Sequence, residues 1–73
     1  MEHIAVTSSN VRSVGYDAEA KVLVVTYIGT GGKPDRAYEY HGVGRIEYDA
    51  LMAAPSIGKH MAQIKHAYRC VPL

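Results

Sequence analysis

The feature that most constrains this chain is the run Lys21-Val22-Leu23-Val24-Val25-Thr26-Tyr27-Ile28. Nearly every residue in it is β-branched or aromatic, a composition that suits a pleated strand. Side chains alternate across a strand. Leu23, Val25 and Tyr27 therefore share one face, and Val22, Val24 and Ile28 share the other. A strand that is apolar on both faces needs cover on both. Helices from the same chain can readily cover one face. The second is harder to cover in 73 residues, and a homo-oligomer is the favoured remedy. The alternative is that the N-terminal run His3–Thr7 folds back over it.

Length sharpens the problem. A domain this small buries only about 60% of the surface its unfolded chain exposes. Small domains commonly add disulfides, a metal or a partner subunit. Cys70 is the only cysteine, so no disulfide forms within one chain. A lone thiol fits a reducing, cytoplasmic setting, and Cys70, near the C-terminus, reads as incidental. No stretch approaches the roughly 20 apolar residues of a membrane-spanning helix. The first residues show no signal-peptide pattern. The chain reads as one domain, residues 1–73, soluble and off the membrane.

Further strands flank the central run. Val11 to Tyr16 reads as a strand, followed by a tight turn opened by Asp17. His3 to Thr7 is a possible edge strand ahead of it, broken by Ser8-Ser9-Asn10. Gly29 to Asp35 reads as a flexible hairpin loop. Its glycine pair before Lys33 does not match the spacing of a phosphate loop. Arg36 to His41 is the next strand, and it aligns Arg36, Tyr38 and Tyr40 on one face. From Arg45 the period becomes helical. Ile46, Ala50 and Ala53 form one stripe, Tyr48 and Met52 lie opposite, and Leu51 falls between, so this helix reads as sandwiched. Ala54-Pro55 stops it. Ser56 is placed to cap a second helix, whose stripe is Ile57, Met61, Ile64 and Tyr68. Val71-Pro72-Leu73 reads as a tail. The expected fold is α+β: a three- to four-stranded antiparallel meander followed by two short helices packed on one face.

Net charge is only +1, but it is unevenly spread. From residue 50 onward the chain carries Lys59, Lys65 and Arg69, with His60 and His66, and no acid. Such an end is a candidate surface for phosphates. Tyr38 and Tyr40 offer rings on which bases could stack, or they form the edge of a core with wet hydroxyls. His60 and His66 are six apart, off a shared helical face, and no paired ligands suggest a metal. Ser8, Ser9 and Ser56 are accounted for by turn and cap roles, so no catalytic nucleophile stands out.

Taken in order, the segments Ser9-Asn10-Val11, Val14-Gly15-Tyr16-Asp17, Leu23-Val24-Val25, Tyr38-Glu39-Tyr40, Val43, Tyr48-Asp49-Ala50-Leu51, Ala53-Ala54-Pro55-Ser56, Gly58, Ile64 and Tyr68 resemble the KTSC domain family. The resemblance runs from Ser8 to Tyr68. It implies a short bacterial or phage protein. The same domain is appended to some lysyl-tRNA synthetase-like proteins, and RNA binding has been supposed for it on that ground. The resemblance brings no catalytic residues. The loop Gly29 to Asp35 is longer than the family's usual glycine turn.

The resulting expectation is a non-enzymatic binding module, without cofactor or metal, for RNA or a small nucleotide. Its ligand-binding residues would be Arg36, Tyr38, Tyr40, Lys59, His60, Lys65 and Arg69. Two alternatives stand beside it. One is a homo-oligomeric phage counter-defence sponge that sequesters a nucleotide signal. The other is a protein-interaction adaptor using the helix face around Tyr48 and Met52.

Overall fold

The computed structural model describes residues 1–73. Its centre is β3 (Val22–Tyr27), flanked by β2 (Val11–Asp17) and β4 (Arg36–His41). Outside these lie β1 (His3–Ala5) and β5 (Arg69–Pro72). All neighbours pair antiparallel, in the order β1-β2-β3-β4-β5. Helices α1 (Arg45–Ala53) and α2 (Ile57–Ala67) are inserted between β4 and β5. No helix is long and apolar enough to cross a membrane.

The sheet thus has five strands, where the sequence suggested three or four. The fourth is the N-terminal edge strand. The fifth is the supposed tail. Tyr68 ends α2 in extended geometry (φ −126°, ψ 152°) while its N–H still donates to the Ile64 carbonyl. The chain then runs back along β4, pairing Arg69 with His41, Cys70 with Tyr40, Val71 with Glu39 and Pro72 with Tyr38. It satisfies backbone groups that β4 would otherwise leave open. Pro72 is tolerated because β5 is an edge.

Turn chemistry sets the register. Asp17 Oδ1 accepts from the N–H groups of Glu19 and Ala20, both at 3.1 Å. Lys21 closes the turn at φ 55°. Its carbonyl accepts from Gly42 and Val43, which ties the exit of β4 to the entry of β3. Gly42 takes φ 85° there, a conformation that glycine adopts without strain.

Both helices cover the face that carries Val14, Leu23, Val25 and Tyr40. Leu51, Met61 and Ile64 complete that core with Val11 and Val43. The second helix follows its expected stripe, and Ser56 Oγ accepts from the Lys59 N–H at 3.3 Å. The first helix is rotated from expectation. Leu51 is fully buried and Tyr48 and Met52 pack on the core, while Ile46 is 87% exposed. The cause is Tyr16. Its ring stacks on Tyr48 at 4.4 Å between centroids, and its hydroxyl donates to the Val43 carbonyl at 2.7 Å. That clamp turns the Tyr48 side inward, and α1 is packed on one side only.

The other face of the sheet carries no helix. Val24 is nonetheless buried there, 5% exposed. The N-terminus supplies part of the cover. A Cβ on Gly15, which is paired with Val24, would meet the His3 ring at 2.9 Å and Met1 Sδ at 3.0 Å. Val22, Thr26 and Val71 remain half-buried on that face.

Candidate functional site

Register alone brings three tyrosines together. Tyr27 sits at the end of β3, and Val25 and Leu23 on its face pair with Tyr38 and Tyr40 of β4. Tyr40 is central and 2% exposed. Its hydroxyl lies 2.8 Å from that of Tyr27. Tyr38 is nearer the strand's start and half-buried, its ring edge-on to Tyr27 at 5.8 Å. Burial raises the pKa of Tyr27 above the ordinary 10.0. It raises that of Tyr40 as well, reinforced by the bond to Tyr27. Both hydroxyls are therefore neutral at physiological pH. One bond between two hydroxyls uses a single proton, so the pair retains a second donor and free lone pairs.

Above these rings α2 leaves a pocket of about 410 Å³. Tyr27, Tyr38 and Tyr40 line it from the sheet, Met61, Ala62, Lys65 and His66 from the helix, and Cys70 from β5. Asn10 and Gly58 complete the lining. A Cβ on Gly58 would come within 2.3 Å of Asn10 Oδ1, so the first turn of α2 packs directly on that side chain.

A second pocket, of about 270 Å³, adjoins the first and shares Tyr27 and Tyr38 with it. Its other walls are Ile28 to Thr30, Lys33, Pro34 and Arg36. The hairpin loop that forms it is a built turn. Gly31 and Gly32 have φ 61° and 79°, and the Lys33 N–H returns to the Thr30 carbonyl at 3.1 Å, as in a type I′ turn. At the neck, Asp35 Oδ1 accepts from the Gly29 N–H at 2.8 Å, while Arg12 bonds the same carboxylate. The Arg12 guanidinium, then the Gly29 N–H, hold the Asp35 pKa below its ordinary 3.8.

The electrostatics of the trough are one-sided. No carboxylate lines either pocket. The four ion pairs of the chain are Arg12–Asp35, His41–Glu39, Arg45–Asp49 and His60–Glu47. Lys33, Arg36 and Lys65 take part in none of them, so three uncompensated cations face the trough around an aromatic floor.

The model of the KTSC domain matches residues 7–68. The chain belongs to the KTSC domain family. It is 34% identical over 64 residues to an uncharacterised protein of Stutzerimonas stutzeri (strain A1501), covering 88% of this chain and 83% of that one. Its fold is also that of a crystallised KTSC domain protein from Yersinia pestis, with a TM-score of 0.87 and 27% identity over 99% of this chain and 96% of the other. In this KTSC domain every residue that lines the larger pocket, except Cys70, falls inside the matched range.

The residues singled out from sequence part company in the KTSC fold. Tyr38, Tyr40 and Lys65 line the larger pocket, and Arg36 and Tyr38 the smaller. Lys59 and His60 lie at a separate hollow around the α1–α2 turn, with Ala54 to Ser56 and Gln63. There His60 Nε2 is 3.0 Å from Glu47 Oε1. Arg69 pairs with His41 and so points to the helix-free face. Sequence reasoning did not place Tyr27, Lys33, His66, Asn10 or Cys70 in the site. Tyr27 was legible as a neighbour, since it shares a face with Leu23 and Val25. The lining by Asn10 and Cys70 depends on tertiary packing and left no local signal.

Proposed function

We propose that this KTSC domain is a non-enzymatic binding module for a nucleotide, free or within single-stranded RNA, and that the helix-side trough is its site. The observation that carries the reading is the convergence of Tyr27 and Tyr38 with Lys33, Arg36 and Lys65 on a cleft without carboxylates. Aromatic faces stack bases at about 1–3 kcal/mol per base by alanine substitution. Unpaired cations attract phosphate, with an affinity that falls as salt rises. The larger pocket is within the size range of small-molecule sites. Lys59, His60 and Arg69 lie outside the trough, and the proposal gives them no part in it.

The chain has six tyrosines and no tryptophan, so its intrinsic fluorescence reports directly on the rings. Titration with nucleoside 5′-monophosphates and a short single-stranded RNA should quench it. Lys65→Glu should weaken binding roughly tenfold and flatten its salt dependence. Lys59→Glu should leave both unchanged. Equal effects of the two reversals would contradict the assignment of the site.

A second observation favours assembly as well. Val22, Thr26 and Val71 lie half-buried on a face that no helix covers. Two copies meeting there would remove that apolar surface from water, and the module would act as a homo-oligomeric sponge for its ligand. Sedimentation equilibrium tests this: Val71→Lys should shift a dimer to monomer without altering the far-ultraviolet dichroism. A wild-type chain that is monomeric at all concentrations would refute it.

A further inference from the structure

Resting on that nucleotide reading, we infer that the trough is divided: the base occupies the compartment beneath α2, and the phosphate occupies the compartment walled by the Gly29–Pro34 turn. The ligand class is then a nucleotide whose phosphate is recognised separately from its base.

The two compartments differ in chemistry. The larger one combines Met61, Ala62 and Cys70 with the tyrosine rings, which suits a flat, largely apolar heterocycle. Its uncharged polar groups on the sheet side are the Tyr27–Tyr40 hydroxyl pair and Asn10, and α2 adds Lys65 and His66. Each of the uncharged groups can donate or accept, as the edge of a base requires. The smaller one, lined by Ile28 to Thr30, Pro34 and two of the tyrosines, carries two fixed cations, Lys33 and Arg36, against the one, Lys65, of the larger. Arg36 is exposed and unpaired, so its guanidinium is free to take two oxygens of one phosphate. Tyr27 and Tyr38, which line both compartments, stand where the sugar would pass.

The turn is fixed before any ligand arrives. A Cβ on Gly29 would lie 2.0 Å from the Lys33 carbonyl oxygen and 2.5 Å from that of Pro34. The loop therefore closes against its own neck, where only glycine fits. Asp35, the carboxylate nearest in sequence to both cations, is turned to Arg12 and to the Gly29 N–H. It anchors the loop and does not neutralise Lys33 or Arg36. With the backbone already set by the turn and by β4, an anion has only the Lys33 and Arg36 side chains left to order.

Calorimetric titration of the whole chain with adenosine, uridine and their 5′-monophosphates tests the division. The monophosphates should bind at least about tenfold tighter than the nucleosides. The double variant Lys33→Ala/Arg36→Ala should remove most of that difference, leaving only the share of Lys65, and keep nucleoside affinity. Ala62→Trp, which fills the larger compartment from the exposed side of α2, should weaken nucleosides and monophosphates alike. Dichroism spectra that match the wild type would show that the variants remain folded. If the double variant still prefers monophosphates to the same degree, the phosphate lies elsewhere: the division fails while the nucleotide reading stands. If the wild type binds neither nucleosides nor monophosphates at millimolar concentration, the reading fails and takes the division with it.

Discussion

Tyr40 shows how one residue joins the core to the site. Its ring fills the centre of the sheet and its hydroxyl holds that of Tyr27. A neutral phenol favoured by burial has its pKa raised, so the stability it contributes is present below the unfolded value of 10.0 and is lost as pH rises above it. Alkaline unfolding followed by tyrosinate absorbance should therefore show a late component that disappears in a Tyr27→Phe/Tyr40→Phe variant. Tyr16 makes the same kind of link elsewhere. Tyr16→Phe keeps the stack on Tyr48 but leaves the Val43 carbonyl without its donor. Urea titration should show a loss of about 1–2 kcal/mol. Alternation along β4 made it legible that Arg36, Tyr38 and Tyr40 share a face. It did not say how far along the strand the helices reach. Tyr40 is under them and Tyr38 is at their rim, a difference set by packing and invisible to a period of two.

Among elements, the Gly29–Pro34 turn and strand β5 were the least legible. Glycines mark a turn, but not one locked by Asp35 and Arg12 from a neighbouring strand. Asp35 is held below its ordinary 3.8 in the fold. A depressed folded pKa contributes stability above the unfolded value, lost as pH falls through the folded one. The acid limb of a melting-temperature profile should accordingly flatten below 3.8 in Asp35→Asn. The same variant should loosen the turn and weaken phosphate-dependent binding at neutral pH. β5 has four residues, one of them proline, and little strand propensity. Its structure comes from the open edge of β4, which no local pattern records. By contrast Ser56 and the stripe Ile57, Met61, Ile64 define α2 from sequence, because capping and helical periodicity are local. The stripe of α1 misled for a related reason. Ile46, Ala50 and Ala53 are apolar, but the Tyr16 clamp selects the opposite side.

At the scale of the whole molecule, charge that is clustered along the chain is dispersed in space. Lys65 reaches the trough, Lys59 the α1–α2 turn, and Arg69 the far side of the sheet. The positive character of the trough comes instead from joining Lys65 on α2 to Lys33 and Arg36 on the β3–β4 hairpin. Only the folded topology brings these together. The doubly apolar central strand was read as needing two covers. One is the helical layer. The other is shared between the N-terminus, which lies over Gly15, and a face left for a second copy in the proposed assembly. In the proposed function these two faces separate the tasks of the molecule, with ligand on the helix side and self-association on the other. A Val71→Lys monomer should therefore still bind a nucleoside monophosphate.

The most direct test of the central claim is a ¹H–¹⁵N correlation spectrum of the labelled chain titrated with a nucleoside 5′-monophosphate. Shifted amides should cluster in two places, residues 27–38 around the hairpin turn and residues 61–70 along α2 into β5. Ala5, Ser13 and Val22, on the helix-free face, should stay still. Shifts confined to that face or to the α1–α2 turn around Lys59, or no shifts at saturating ligand, would contradict the claim.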